Sequence, residues 1–172
     1  LPPEQTEPIE RVAAVNQNVV VVLTCGAPVS MPWLKSVKGV LLTYFSGCMG
    51  GRACAALLFG DRNPSGKLAE TFPLCYEDVP SAFDFGKNEE YAEYRESIYT
   101  GYRWYDAAGK EVLFPFGFGL SYTSFEYGKI ELSSNRYRGE GVLTVRVPVK
   151  NTGTCAGAEI VQIYVGQRAP KI

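Results

Sequence analysis

Four consecutive valines, Val19 to Val22, followed by Leu23 and Thr24, constrain this chain more than any other stretch. β-Branched side chains crowd the preceding turn of a helix but stand comfortably on a pleated strand. The run lacks the polar alternation of a strand with one wet face. It therefore predicts a strand buried on both faces, as in a parallel sheet. Gly26 and Pro28 end it, a short helix is expected around 31–37, and a second apolar strand at Val40-Leu41-Leu42-Thr43-Tyr44. Ahead of the valines, Thr6 can cap a helix from about Glu7 to Asn16, with Ile9, Val12 and Ala13 on one face. After the second strand comes a small-residue loop, Ser46-Gly47-Cys48-Met49-Gly50-Gly51, and then a helical stretch from Ala53 to Phe59. Helix alternating with strand is the α/β pattern, here a largely parallel sheet with flanking helices. Ligands of such sheets gather beyond the carboxyl ends of the strands, so the loops at 25–29 and 46–51 are the first places to look for function.

Further along, Gly60 to Leu68 has the glycines, lysine and turn residues of a phosphate-binding loop but not its spacing. Five residues instead of four separate Gly60 from Gly66, and Leu68 replaces the hydroxyl that would meet magnesium. Asn63-Pro64-Ser65-Gly66 reads as a turn. A short strand is expected at Ala69 to Phe72, irregular polar chain from Pro73 to Glu96, a tyrosine-rich stretch from Ile98 to Tyr105, and a Gly/Pro loop from Phe114 to Leu120. The pattern then changes. Phe125 to Leu132, Val142 to Val149 and Ile160 to Val165 each alternate with period two, and Asn151-Thr152-Gly153 supplies a turn. Three strands start, but do not complete, an antiparallel β-sandwich. The domain boundary is placed accordingly: 1–124 as an α/β domain and 125–172 as the start of a β-sandwich.

Seventeen basic and eighteen acidic residues nearly cancel, and no basic cluster interleaves with aromatics, which argues against a nucleic-acid partner. A hydrophobic fraction of 46% against 20% charged residues predicts a packed core. The apolar runs are too short to cross a bilayer, and the opening Leu1-Pro2-Pro3-Glu4-Gln5 has neither region of a signal peptide, so no membrane association is expected. The five cysteines lack metal-ligand spacing and the chain has no histidine, so neither a metal nor a cofactor is expected. The apolar flanks of Cys25 and Cys54 suit buried, inert thiols. That favours free thiols in a reducing, cytoplasmic setting and leaves secretion open.

Two groups could carry chemistry. Glu89, Glu90, Glu93 and Glu96 could include a general acid, since glycosidic cleavage needs paired carboxylates; Lys87 and Arg95 among them favour solvated or ion-paired roles. Cys48, in a Gly-rich loop at a strand end, could be a nucleophile, but no histidine is present to activate it.

Several strings in order carry a resemblance. They are Val20-Val21-Val22-Leu23 with Gly26-Ala27-Pro28-Val29 and Met31-Pro32-Trp33; Asn63-Pro64-Ser65-Gly66-Lys67-Leu68 with Thr71-Phe72-Pro73; Tyr94-Arg95-Glu96-Ser97-Ile98-Tyr99 with Gly101-Tyr102-Arg103-Trp104-Tyr105-Asp106; and Leu113 to Phe125. Together they resemble the carboxyl-terminal half of glycoside hydrolase family 3 enzymes. The tail, Asn151-Thr152-Gly153, Gly157-Ala158-Glu159 and Val161-Gln162-Ile163-Tyr164-Val165, is similar to that family's fibronectin type III-like domain. The resemblance implies a retaining β-glycosidase, most often a β-glucosidase, built from a barrel with an Asp nucleophile, an α/β domain with a Glu acid/base, and a fibronectin-like module. Both catalytic carboxylates are expected outside this chain, in a missing barrel domain and a loop just upstream of Leu1. This stretch would supply scaffold and the rim of the sugar cleft, and would be inactive alone. The rim candidates are Ser46, Cys48 and Met49, in a loop where many family members read P-G-Q-E-x-G, so that Cys48 and Met49 replace an amide and a carboxylate. The alternative is a non-catalytic carbohydrate-binding or structural module.

Overall fold

A computed structural model describes residues 1–87, 90–91, 93–137, 139 and 141–166. The chain divides into two compact units, one formed by 1–56 and 67–118 and the other by 57–66 and 119–172.

The first unit opens with helix α1, Pro3–Val15. It starts four residues ahead of the expected Glu7. Pro2 is the N-cap and Pro3 the first helical residue, where the fixed φ of proline is preorganised and its missing N–H is no loss. Thr6 is therefore inside the helix. Ile9 packs against the core as expected, whereas Val12 is half exposed. Strand β1, Val20–Leu23, pairs in parallel with β2, Gly39–Leu42, in the register Val20 with Gly39 through Leu23 with Leu42. Bonds from Lys38 N to Val19 O (2.8 Å) and from Thr43 N to Leu23 O (2.9 Å) extend the ladder at both ends. Burial of β1 differs from expectation: Val21 and Leu23 are buried, but Val20 and Val22 face outward, 52% and 41% exposed. The core covers only one face of this two-stranded sheet.

Between the strands, a single 3₁₀ turn at Leu34–Ser36 replaces the expected helix. Met31 and Trp33 lead into it and enter the core, Trp33 at 1% exposure. Helix α2, Gly50–Leu58, begins three residues before Ala53, so Gly50 and Gly51 belong to the helix and not to the loop. Strand β3, Phe72–Pro73, is later and shorter than the Ala69–Phe72 expectation. It pairs antiparallel with β4, Val112–Phe114. Helix α3, Tyr102–Ala108, falls within the tyrosine-rich stretch and ends on Gly109, whose φ of 60° gives the left-handed C-terminal turn that glycine adopts without Cβ strain. Phe72 is the second fully buried large side chain. Its ring meets Phe114 edge-on, 6.3 Å between centroids.

The second unit is a β-ribbon. Strand β5, Phe125–Tyr127, pairs antiparallel with β8, Val149–Asn151, and β6, Glu131–Leu132, with β7, Val145–Arg146. The expected strands 125–132 and 142–149 are thus each broken in the middle. Pro148 has no N–H for the ladder, and its ring packs against Gly128, where a side chain would meet it at 3.1 Å. Residues 160–165 alternate but form no ladder among the described residues. Asn63-Pro64-Ser65-Gly66 forms no turn or other regular element; the turn sits at Gly60, with φ +80°. Asn63 is instead a hydrogen-bonding hub. Its Oδ1 accepts from Ser121 Oγ (2.9 Å) and Tyr122 N (2.8 Å), and its Nδ2 donates to Ala156 O (3.0 Å).

Candidate functional site

The carboxyl ends of β1 and β2 lie side by side, tied by Thr43 Oγ1, which donates to Leu23 O and stands 3.0 Å from Thr24 Oγ1. Beyond Thr43 the chain turns sharply. Tyr44 has φ 48°, a left-handed conformation that costs a residue with a Cβ of the order of 1–3 kcal/mol. Gly47 repeats the turn at φ +64°. The two strand-end loops meet, because the Phe45 ring lies on Gly26, 2.5 Å from where a Cβ would stand. Ser46 in turn sits against Gly50, leaving no room for a side chain there. This fixed loop holds the three rim candidates at the surface: Ser46 and Cys48 are exposed, and Met49 is 56% exposed.

A cleft of about 520 Å³ opens elsewhere in the first unit, within the usual range for small-molecule sites. It is lined by Pro28, Val29 and Ser30 from the loop after β1, by Glu70 and Thr71, and by the aromatic side chains of Tyr76, Tyr102, Tyr105 and Phe116. Residues 46–51 do not line it. Of the two loops singled out from the sequence, the first borders this cleft and the second does not. Sequence reasoning missed Glu70, Thr71 and the aromatic wall, although the tyrosine-rich stretch 98–105 was their visible signal. Tyr102 stacks on Phe116 at 5.2 Å, and the buried Thr71 accepts a hydrogen bond from Phe116 N.

Two features give the cleft its electrostatics. Asp78 links its edge to the end of α3: its Oδ1 accepts from Lys110 Nζ at 2.6 Å, and its Oδ2 from Cys75 Sγ at 3.2 Å. The Lys110 hydrogen bond, followed by that of Cys75, holds the Asp78 carboxyl below its ordinary value. The same hydrogen bond raises the Cys75 thiol, because ionisation would remove the proton it donates. The second feature is Tyr44, which does not line the cleft but neighbours Glu70, which does. Tyr44 Oη is buried, and the Glu70 carboxylate is the charged group beside it that can accept its proton. Burial first, then the Glu70 charge, push this phenol up.

The glutamate cluster has little catalytic character. Glu93 pairs with Arg95, which also reaches Asp84 at 3.1 Å; Glu90 is exposed, and Glu89 lies outside the described residues. All five cysteines are free; Cys25 and Cys54 are half-buried and the other three exposed. Trp33 is core, and Trp104 donates its indole N–H to Asp78 O at 3.2 Å. Among the described residues no cluster could hold a metal ion, and no helix is long and apolar enough to cross a membrane.

The sequence profile of the Glycosyl hydrolase family 3 C-terminal domain matches residues 1–122. The chain belongs to glycosyl hydrolase family 3. Among its family 3 relatives, the thermostable beta-glucosidase B of Acetivibrio thermocellus is 50% identical over 165 residues, covering 96% of this chain and 22% of that protein. An exo-alpha-(1->6)-L-arabinopyranosidase of Bifidobacterium longum is 43% identical over 166 residues, again 96% of this chain and 22% of the relative. Of solved structures, beta-glucosidase 3B from Thermotoga neapolitana in complex with glucose superposes with a TM-score of 0.81 at 41% identity, covering 91% of this chain and 22% of that one. A beta-glucosidase from Streptomyces venezuelae in complex with D-glucose gives 0.79 at 42%, covering 89% and 20%. The chain thus spans about a fifth of the length of the relatives it matches. Its likeness to these family 3 structures agrees with the α/β class read from the sequence.

Proposed function

We propose that the protein to which this chain belongs is a retaining β-glucosidase that hydrolyses terminal β-linked sugars. In this reading the Asp nucleophile and the Glu acid/base lie outside the 172 residues, the former in a barrel domain. The observation that carries it is 50% identity to a named beta-glucosidase across 96% of the chain. Two features of the chain agree with a supporting role. A glycosidase acid must hold a proton near neutral pH; Asp78, clamped by Lys110, is held ionised, and Glu93 is tied to Arg95. Residues 1–124 are assigned to the carboxyl-terminal α/β domain, with a largely parallel sheet completed by other parts of the parent. Residues 125–172 are assigned to the start of a fibronectin type III-like sandwich. The end of the profile match at 122 and the start of the β-ribbon at Phe125 support this division.

Ser46, Cys48 and Met49 are assigned to the rim of the sugar cleft. Their support is position, at the carboxyl end of β2 on a loop fixed by the Phe45 contact with Gly26. Cys48→Gln with Met49→Glu in the parent enzyme is expected to change KM several-fold and kcat less than twofold; unchanged constants would remove these residues from the rim.

The activity is tested with aryl glycosides. The 172-residue chain is expected to release nothing from an aryl β-D-glucoside, and the parent enzyme to release β-glucose first, as read by NMR of the anomeric proton. An inactive parent with intact catalytic carboxylates, or α-glucose as the first product, would overturn the reading. An aryl α-L-arabinopyranoside belongs in the same assay because one relative is named for that sugar; faster cleavage of it would reassign the substrate.

A further inference from the structure

The cleft in the first unit leaves one charge unanswered. Glu70 is the only Asp or Glu that lines it, no Lys or Arg does, and Glu70 makes no ion pair among the described residues. The cations next to its walls are engaged elsewhere. Lys110 is paired with Asp78, and Arg103, outside the lining, stands 5.9 Å from the Tyr102 ring and donates to Ile98 O. Tyr44 meets Glu70 from the protein side: its hydroxyl neighbours the carboxylate, is buried, and does not line the cleft. Burial, followed by the Glu70 charge, raises the phenol, so Tyr44 stays protonated as a standing donor. A carboxylate offers about four acceptor sites, and one phenol leaves most of them open. Half-buried carboxylates ordinarily collect further donors.

The rest of the lining selects the kind of donor. Tyr76 is 57% exposed, and the Tyr102–Phe116 stack also borders the cleft. Aromatic faces carry partial negative charge and attract cations. Two further lining groups feel a negative neighbour: the Cys75 thiol is raised by its hydrogen bond to Asp78, and the Tyr105 phenol by burial and then the Asp78 charge. A positively charged donor satisfies carboxylate and ring faces together, and its hydrogen bonds are about twice as strong as those of a neutral donor. An ammonium is compact and strongly hydrated. A planar amidinium or guanidinium is weakly hydrated, pairs with a carboxylate through two N–H groups and lies flat on a ring.

We propose that this cleft binds a planar organic cation, an amidinium or guanidinium group, with Glu70 accepting its N–H donors, the exposed Tyr76 ring covering its flat face, and Tyr44 positioning Glu70. The site reads positive charge, which a glucoside lacks, and the inference stands whether or not the parent is a glucosidase.

Val29 and Val79 line the cleft and supply a local readout. Their methyl resonances are followed by NMR in the 172-residue chain and in the parent protein while benzamidine, or its neutral isostere benzamide, is added at pH 7. Benzamidine is expected to shift both methyls with half-saturation in the low millimolar range and to leave Val142, exposed in the second unit, unchanged. It should bind at least tenfold more tightly than benzamide. Because the readout is residue-specific, binding elsewhere in the parent does not register. Glu70→Gln should weaken benzamidine about tenfold and Tyr44→Phe about threefold, neither affecting benzamide. Loss of the native resonance of core Val21 identifies a variant that has unfolded. Tyr76→Ala then serves as the second variant, expected to weaken benzamidine at least threefold. A response in both proteins identifies a free ligand. A response in the chain alone identifies a basic side chain of the parent as the cation, provided that Glu70→Gln in the parent speeds alkylation of Cys75, which lines the cleft, at least threefold. A response in the chain alone without that gain, equal binding of benzamide, affinity unaffected by Glu70→Gln and Tyr76→Ala, or no response in the chain would overturn the proposal.

Discussion

Asn63 and Asp78 organise more structure than anything in their sequence neighbourhoods announces. Asn63 stands in a motif that looks like a turn, yet its amide joins Ser121, Tyr122 and Ala156, residues 58 to 93 positions away. Only a fold that brings these segments together gives the amide its partners. Replacing it by alanine leaves the exposed Tyr122 N–H and Ala156 carbonyl to water, so only the net value of the hydrogen bonds is lost, about 1 kcal/mol. Hydrogen exchange at the Tyr122 amide should therefore rise about fivefold in Asn63→Ala, with amides of β1 unchanged. Asp78 makes a pH-dependent contribution. Its folded pKa lies below the unfolded value, so the stability it adds is fully present above the unfolded pKa of about 3.9 and is lost as pH falls through the folded value. Asp78→Asn is accordingly expected to lower the thermal midpoint at pH 7 but to match the parent chain near pH 2. The same substitution removes the carboxylate that holds the Cys75 thiol up, so Cys75 should alkylate faster at pH 8.

Elements of this chain follow local chemistry where their partners are near and depart from it where they are not. The valine strand was legible because β-branched residues choose the strand by themselves. Its ends moved by a residue because pairing with Gly39–Leu42 decides which residues count as strand. The start of α1 was misread because two prolines and a threonine compete as start signals, and the one with preorganised φ prevails. The β-ribbon is interrupted at Pro148, a break visible in the sequence but concealed by the alternation of valines around it. Two substitutions test the packing. Phe72→Ala removes one of two fully buried large side chains and should destabilise the first unit by about 3–5 kcal/mol, read from the urea midpoint followed by Trp33 fluorescence. Gly109→Ala places a Cβ at φ 60° and should cost about 1 kcal/mol by the same measurement.

At the scale of the whole molecule, the chain carries more apolar surface than a finished domain would leave in water. Val20 and Val22 face outward on β1, and Val142 and Val165 are 90% and 97% exposed. The chain spans about a fifth of its relatives, and in the reading proposed above such surface is covered by the rest of a longer protein. Addition of the preceding parent segment to the 172-residue chain is accordingly expected to raise its thermal midpoint and reduce dye binding to apolar surface; no change in either would argue that these faces stay open. The class of the fold and the family were readable from the chain by itself, because strand propensity, turn residues and an ordered series of short strings are local properties. The rim candidates Ser46, Cys48 and Met49 were readable as a loop at a strand end, but the contact of the Phe45 ring in that loop with Gly26, 19 residues away, was not. The cleft, the Glu70–Tyr44 pair and the Asn63 hub were decided only in three dimensions. Each depends on burial and on partners far apart in sequence, and neither desolvation nor hydrogen-bond geometry has a signature in the order of residues.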